Sequence, residues 1–298
     1  MDSSIPAPVL KAERPSARGK RWNTVRYAVS ENPLSLLAAG LFLLFVLLAL
    51  FGPLLAPFDP LATNVGEPMS PPSAAHWFGT DALGRDILSR VMVAARLDLG
   101  IAISAVSLSC VIGGFLGSSA GYFGGWLERV VGRASDTIMA FPLFVLAMGI
   151  VAALGNSVAN IVLATAIINL PLYIRVARVE SSVLKNAGFV EAARLAGNGE
   201  FRLLFHHIIP NILPSMTVQV SLNLGWAILN AAGLSFIGLG VRPPEAEWGI
   251  MVAEGAQYIV SGEWWVALFP GAVLMLAVFC FNLMGDSLRD LVDPRRRT

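Results

Sequence analysis

The strongest constraint on this chain is a stretch without charge. Residues 137–174 are thirty-eight consecutive positions with no Asp, Glu, Lys or Arg. As one helix they would be about 57 Å long, against a bilayer hydrocarbon core of about 30 Å. The stretch therefore has to cross twice, turning at Gly155-Asn156-Ser157. This predicts spans at residues 137–154 and 159–174, with Pro171 near the exit of the second. Four further charge-free runs predict spans at residues 35–55, 99–120, 211–232 and 265–283. Only 14% of residues are charged and the mean hydropathy is +0.67, whereas about a quarter of a soluble domain is charged. The expected fold is an all-α membrane protein with six transmembrane helices. The first run follows basic residues but is too long for a signal h-region and lacks a small-x-small cleavage site, so it is read as a signal anchor.

Charge then sets the sidedness. Residues 1–32 form a proline- and serine-containing basic tail, expected to be disordered apart from a possible surface helix at 21–30. With the N-terminus in the cytoplasm, 17 of the 21 Lys and Arg residues fall on the inner side, as the positive-inside rule requires. Both termini and the loop 175–210 are then cytoplasmic, and the loops 56–98 and 233–264 are external. Asp86 and Arg90, four apart, are expected to pair on an amphipathic surface helix before the second span. Gly113, Gly117 and Gly121 recur every four residues and predict close approach of a neighbouring helix. The sequence 121–126 then makes a turn.

Several chemistries are excluded or weakened. The chain has no phosphate-cradling Gly-x-x-x-x-Gly-Lys-Ser/Thr and no His-Glu-x-x-His. Its histidines, His76, His206 and His207, lie outside the expected spans, and no ionisable carboxylate or amine lies inside one, unlike most ion-coupled carriers. Adjacent His206 and His207 point in different directions on a helix and favour packing over metal binding. Gly117-Ser118-Ser119-Ala120-Gly121 matches a nucleophile-elbow pattern but falls in an apolar helix, where it reads as packing. Cys110 and Cys280 read as small core residues rather than a disulfide or metal site. Asn169 and Gln219 either line a pathway or bond across helices, the second being favoured. The acidic loop from Glu245 to Glu263 is either merely solvated or meets an external protein. A net charge of +1 gives no pointer to nucleic acid.

Between the fourth and fifth spans lies the most basic interval, residues 175–214. Residues 190–196 are rich in helix formers, and Gly197, Asn198 and Gly199 are stop residues. A short helix should end at Gly197, with a second from about Glu200 that Pro210 ends or bends. Ala192, Ala193 and Ala196 give the first helix a slim face, flanked by Glu191 and Arg194. From composition alone an ordinary surface helix is about equally compatible.

Glu191-Ala192-Ala193, three residues, Gly197, nine residues and then His207-Ile208-Ile209-Pro210 resemble the signature loop of permease subunits in binding-protein-dependent ABC importers. That loop usually ends Ile-x-Leu-Pro. Further stretches resemble the C-type permease of dipeptide, oligopeptide and nickel importers: Asn32-Pro33, residues 76–90, Ala120 to Trp126, Ala140-Phe141-Pro142, residues 234–240, Trp248-Gly249, Phe269-Pro270-Gly271 and residues 281–286. The resemblance implies a type I ABC importer permease fold in a bacterial inner membrane, with no catalysis by this chain. It implies a heterodimer with a B-type permease, two ABC ATPase subunits that bind ATP and Mg, and a periplasmic solute-binding protein. Glu191, Ala192, Ala193, Arg194 and Gly197 would form the coupling helix that docks on an ATPase. The implied cargo is peptides, with nickel chelates, opines, glutathione, glycosides or another small solute as alternatives. Two departures stand out. Residues 94–99 replace the family's usual Gly-Ala-Arg-x-Ser-Leu, putting Asp98 where serine is usual, and Ala231 stands where the family often has Glu. Either could bear on the external face.

Overall fold

The structure is a computed structural model that describes residues 33–292, with side chains for residues 36–289. The surface helix expected at 21–30 and the basic C-terminal end from residue 293 lie outside the described residues. The described chain is helical: α1 (Pro33–Leu55), α2 (Ile87–Phe123), α3 (Gly125–Met139), α4 (Leu143–Leu154), α5 (Val158–Leu184), α6 (Gly188–Leu195), α7 (Glu200–Leu203), α8 (Ile209–Phe236), α9 (Trp248–Ala256) and α10 (Trp265–Val292). Five helices are long and apolar enough to cross a membrane, and α3 with α4, bent by 91°, makes a sixth candidate.

The centre of the bundle is the pairing of α2 with α5. Each glycine of the four-residue stripe on α2 faces the backbone of α5. A methyl group on Gly113 would lie 2.7 Å from the Tyr173 Cβ and 3.0 Å from the Leu170 carbonyl oxygen. One on Gly117 would meet Ile174 and Ala177, and one on Gly121 the carbonyl of Arg178. Lipid tails are as apolar as leucine, so helices in a bilayer are held by such close backbone contact and by polar bonds. Ser109 adds one, donating its hydroxyl to the Ala166 carbonyl at 2.8 Å. Ser119, the would-be nucleophile, is buried in the same helix. Around this pair, α1, α8 and α10 complete one core with Phe45, Ile212, Met216, Ile228, Trp248 and Phe281.

The helix ends differ from expectation in four places. First, the amphipathic turn at 86–90 is not a separate surface helix; it begins α2, whose 37 residues extend about 55 Å. Asp86 caps that helix instead of pairing with Arg90, accepting bonds from the Ser89 amide (2.8 Å) and hydroxyl (2.7 Å). Second, α4 starts at Leu143, not 137, because Ala140-Phe141-Pro142 breaks the path; Pro142 cannot continue the ladder of α3. Third, α5 passes Pro171 and continues to Leu184, so the loop expected from 175 begins as helix. Ala177 and Ser181 stay buried against the bundle while Arg175 is exposed, so the helix runs past its first charges without unwinding. Fourth, Pro210 neither ends nor bends away its helix. A π-turn at Leu204–Ile208 joins α7 to α8, and the widened turn accommodates the missing proline N–H.

Elsewhere expectation and structure agree. Gly155 (φ 92°) ends α4 and Ser157 caps α5 through the Asn160 amide. The turn expected at 121–126 is narrower: residues 121–123 still belong to α2 and 125–126 already to α3, with Gly124 (φ 66°) between them. Cys280 is buried and Cys110 partly buried, both with free thiols. Asn169 and Gln219 do not bond across helices, however. Asn169 donates to the Thr165 carbonyl (2.8 Å) and Gln219 to Asn223 (3.3 Å), each within its own helix.

Candidate functional site

The signature loop folds into α6, whose eight residues stand at the end of the bundle where α2, α5 and α7 converge. Glu191 lies in its first turn and Arg194 in its last, the charge placement a helix dipole favours. The helix stops as expected. Gly197 takes φ 85° and donates to the Arg194 carbonyl at 3.0 Å, and Asn198 closes the end with amide and side-chain bonds to the Ala193 carbonyl (3.3 and 2.8 Å). Nothing lies within 4 Å of where a Gly197 side chain would start. Glycine is needed there for its backbone, not for space.

Two faces divide the helix. The inner one presents Val190, fully buried, and Ala193, which pack with Tyr122, Leu203, Leu204 and Ile208. The outer one presents Glu191 and Ala192 with Phe189 (45% exposed) and Leu195 (90% exposed). Ala193 thus belongs to the anchor of the helix, while Ala192 remains outside. Arg194 turns toward the bundle, its Nη2 donating to the Tyr122 hydroxyl (3.2 Å) and its Nε lying 3.5 Å from a Glu200 oxygen. The sequence reading missed Phe189 and Leu195. Their spacing with Ala192, three and three, is the signal that could have found them. This eight-residue helix is thus anchored on one side and leaves a leucine and a phenylalanine bare on the other.

The family described as "Binding-protein-dependent transport system inner membrane component" matches residues 113–298. The family "N-terminal TM domain of oligopeptide transport permease C" matches residues 20–72. The chain is a binding-protein-dependent permease of the C type. It is 43% identical over 264 residues to the probable D,D-dipeptide transport system permease protein DdpC of Escherichia coli strain K12, covering 89% of this chain and 88% of that one. It is 41% identical over 277 residues to the dipeptide transport system permease protein DppC of Alkalihalophilus pseudofirmus, covering 93% and 91%. It is 41% identical over 263 residues to the glutathione transport system permease protein GsiD of Pectobacterium atrosepticum, covering 88% and 87%. The permease is thus a multi-pass protein of the bacterial inner membrane, from a family of non-catalytic ABC importer subunits.

At the opposite end of the permease α2 a buried polar cap joins residues 58–98 to α9 and α10. Arg85 bonds Asp81 (2.6 Å) and reaches Glu254 (3.4 Å), while Arg90, almost wholly buried, lies 3.7 and 3.8 Å from the same two carboxylates. Asp86, besides capping α2, meets the His76 ring at 2.9 Å. The Trp248 indole donates to the Val91 carbonyl (3.1 Å), and Phe78 stacks on Phe269 at 4.2 Å. Breaking such a buried network from one side would leave an uncompensated charge. It holds α9 to α2 as one block.

The two family departures are interior. Ala231 is buried in a small apolar cluster with Ile101, Ile161 and Leu234. Asp98 is buried beside Glu247. Glu247 also caps α9 through the amides of Gly249 (2.9 Å) and Ile250 (2.7 Å), and Asp98 accepts from the Trp248 amide (3.1 Å). Burial pushes the Glu247 carboxyl above the usual range. The stretch from Glu245 to Glu263 is accordingly no uniform acidic surface: Glu247 is fully buried and Glu254 is committed to the arginines. Among the described residues no group of three or more His, Cys, Asp or Glu side chains could hold a metal ion.

Proposed function

We propose that this permease is one half of the translocation path of a peptide importer. It crosses the membrane six times, α3 and α4 together making the third crossing. Both termini and α6 are cytoplasmic, and the Arg85–Arg90 cap faces the periplasm. A B-type permease completes the path, two ATPase subunits bind ATP and Mg below it, and a solute-binding protein delivers cargo from outside. The outer face of α6, with Phe189, Glu191, Ala192 and Leu195, docks in a groove of one ATPase, and Gly197 sets where that helix ends. Closure of the ATPase dimer then moves α6 and, through Val190 and Ala193, the bundle end.

The observation that carries this reading is the two-faced α6: one side anchored in the bundle, the other apolar and exposed, at the position of the signature loop. Di- and oligopeptides are the favoured cargo because the relatives DdpC and DppC are named for dipeptides. The relative GsiD, named for glutathione, supports that tripeptide as a second cargo. The test places a single cysteine at Ala192. In intact cells it should resist an impermeant thiol reagent, react after permeabilisation, and be shielded once ATPase subunits bind. Labelling from outside intact cells would overturn the topology and the docking role together. Radiolabelled dipeptide uptake, competed by other peptides or by glutathione, decides between the cargoes.

A further inference from the structure

Three polar side chains from three separate elements meet where α6 leaves the bundle. Tyr122 closes α2, Arg194 lies in the last turn of α6 and Glu200 opens α7. The Tyr122 hydroxyl donates to a Glu200 oxygen. Arg194 donates to that hydroxyl at 3.2 Å and keeps its Nε 3.5 Å from the other Glu200 oxygen. The Tyr122 ring below is buried with Val190, Leu203, Leu204 and Ile208. On the far flank of α6, Lys185 at the end of α5 donates to the carbonyl of Gly121, the neighbour of Tyr122.

Arg194 and Glu200 are both about half exposed, and an exposed ion pair adds little to stability. The apolar contacts of Val190 and Ala193 hold α6 in place. The polar triangle cannot be needed for that, but it does what the apolar contacts cannot. Apolar contacts are non-directional, whereas hydrogen bonds to a fixed hydroxyl set direction. Among the described residues, these are the hydrogen bonds that tie the far turn of α6 to α2 and α7 at once.

On the docking role assigned above, we propose that Tyr122, Arg194 and Glu200 form a clasp that positions α6. Motion of α6 is then passed jointly to α2 and, through α7 and the π-turn, to α8. Arg194 is on this reading a positioning residue, not part of the ATPase contact. Without the clasp, α6 can swivel on Val190 while the ATPases close, and the stroke is lost.

The test uses the whole importer reconstituted in proteoliposomes and reads peptide imported per ATP hydrolysed. Tyr122→Phe keeps the ring and removes the hydroxyl. It should retain ATPase subunits and ATP hydrolysis while import per ATP falls several-fold. Arg194→Glu alone should do the same, and adding Glu200→Arg should restore coupling, because the pair is rebuilt in reverse. A purely structural role would change yield without changing the ratio. Unchanged coupling in Tyr122→Phe, or no rescue by the reversed pair, would overturn the clasp. Hydrogen exchange on the full permease without ATPases reads it separately: amides of residues 190–196 should exchange faster in Tyr122→Phe, and equal rates would also overturn it. If the unmodified permease bound no ATPase, the docking role would fall, and the exchange result alone would decide the clasp.

Discussion

Replacing Gly117 by alanine tests the packing on which the bundle depends. The added methyl would lie 2.9 Å from both the Ile174 Cα and the Ala177 Cβ, with the Ile174 carbonyl oxygen nearer still. All three are backbone or Cβ atoms, so no side-chain rotation relieves the clash. Ordinary contact begins near 3.4 Å, so α2 and α5 must part by roughly 0.5–1 Å, an overpacking that costs about 1–3 kcal/mol. Alanine also favours helix over glycine by about 1 kcal/mol, so a control is needed that carries only this gain. Gly100 lies on the same helix, is exposed, and has nothing within 4 Å of its missing side chain. Thermal unfolding in detergent should therefore show Gly100→Ala at or above the parent and Gly117→Ala below Gly100→Ala by about 1–3 kcal/mol. Equal shifts in the two variants would refute the claim that α2 and α5 touch through their backbones.

Further outcomes follow from the two ends of the molecule. Leu195→Asp, at a position 90% exposed, should leave folding within about 0.5 kcal/mol. Losing one buried leucine contact of about 2 kcal/mol, it should weaken ATPase binding roughly 30-fold in a pull-down titration; full binding would remove Leu195 from the docking face. Gly197→Asp must adopt φ near 85°, at about 1–2 kcal/mol, and is expected to insert normally yet fail in peptide uptake, an outcome that normal uptake would contradict. At the other end, the raised Glu247 carboxyl has a definite sign: its stability contribution is complete below the unfolded carboxylate range and is lost as pH rises through the folded value. The unfolding temperature should therefore fall as pH rises above the ordinary carboxylate range, and Glu247→Gln, which cannot ionise, should flatten that fall. An identical pH profile in Glu247→Gln would show that the Glu247 carboxyl does not set the dependence.

The sequence reading worked wherever one physical quantity decided the outcome. The absence of charge located the apolar helices, the four-residue glycine repeat located the α2–α5 contact, and Gly197 with Asn198 located the end of α6. It failed where two effects competed. Charged residues at 175–180 looked like the end of a span, yet Ala177 and Ser181 kept the helix packed to Leu184. Pro210 looked like a breaker, but an inserted π-turn has no signature in residue types and absorbed it. Ala193 and Ala192 look alike in sequence; only the direction of the bundle makes one an anchor and the other a surface. Arg90 and Glu254 read as surface charge because a partner lies far along the chain: Arg85 meets Glu254 across 169 residues. Such pairings cannot be seen from spacing.

The sharp bend between α3 and α4 has a consequence for the membrane itself. With twelve residues, α4 reaches only about 18 Å, well short of the thickness it stands in. Phe141, Phe144, Val145 and Leu154 nevertheless point outward from this short segment. Acyl chains laid against so low a wall must either thin or withdraw. If α4 rather than the bent-back α3 meets the acyl chains there, the rim dips beside it, and the surrounding lipid would be deformed or replaced by another apolar surface.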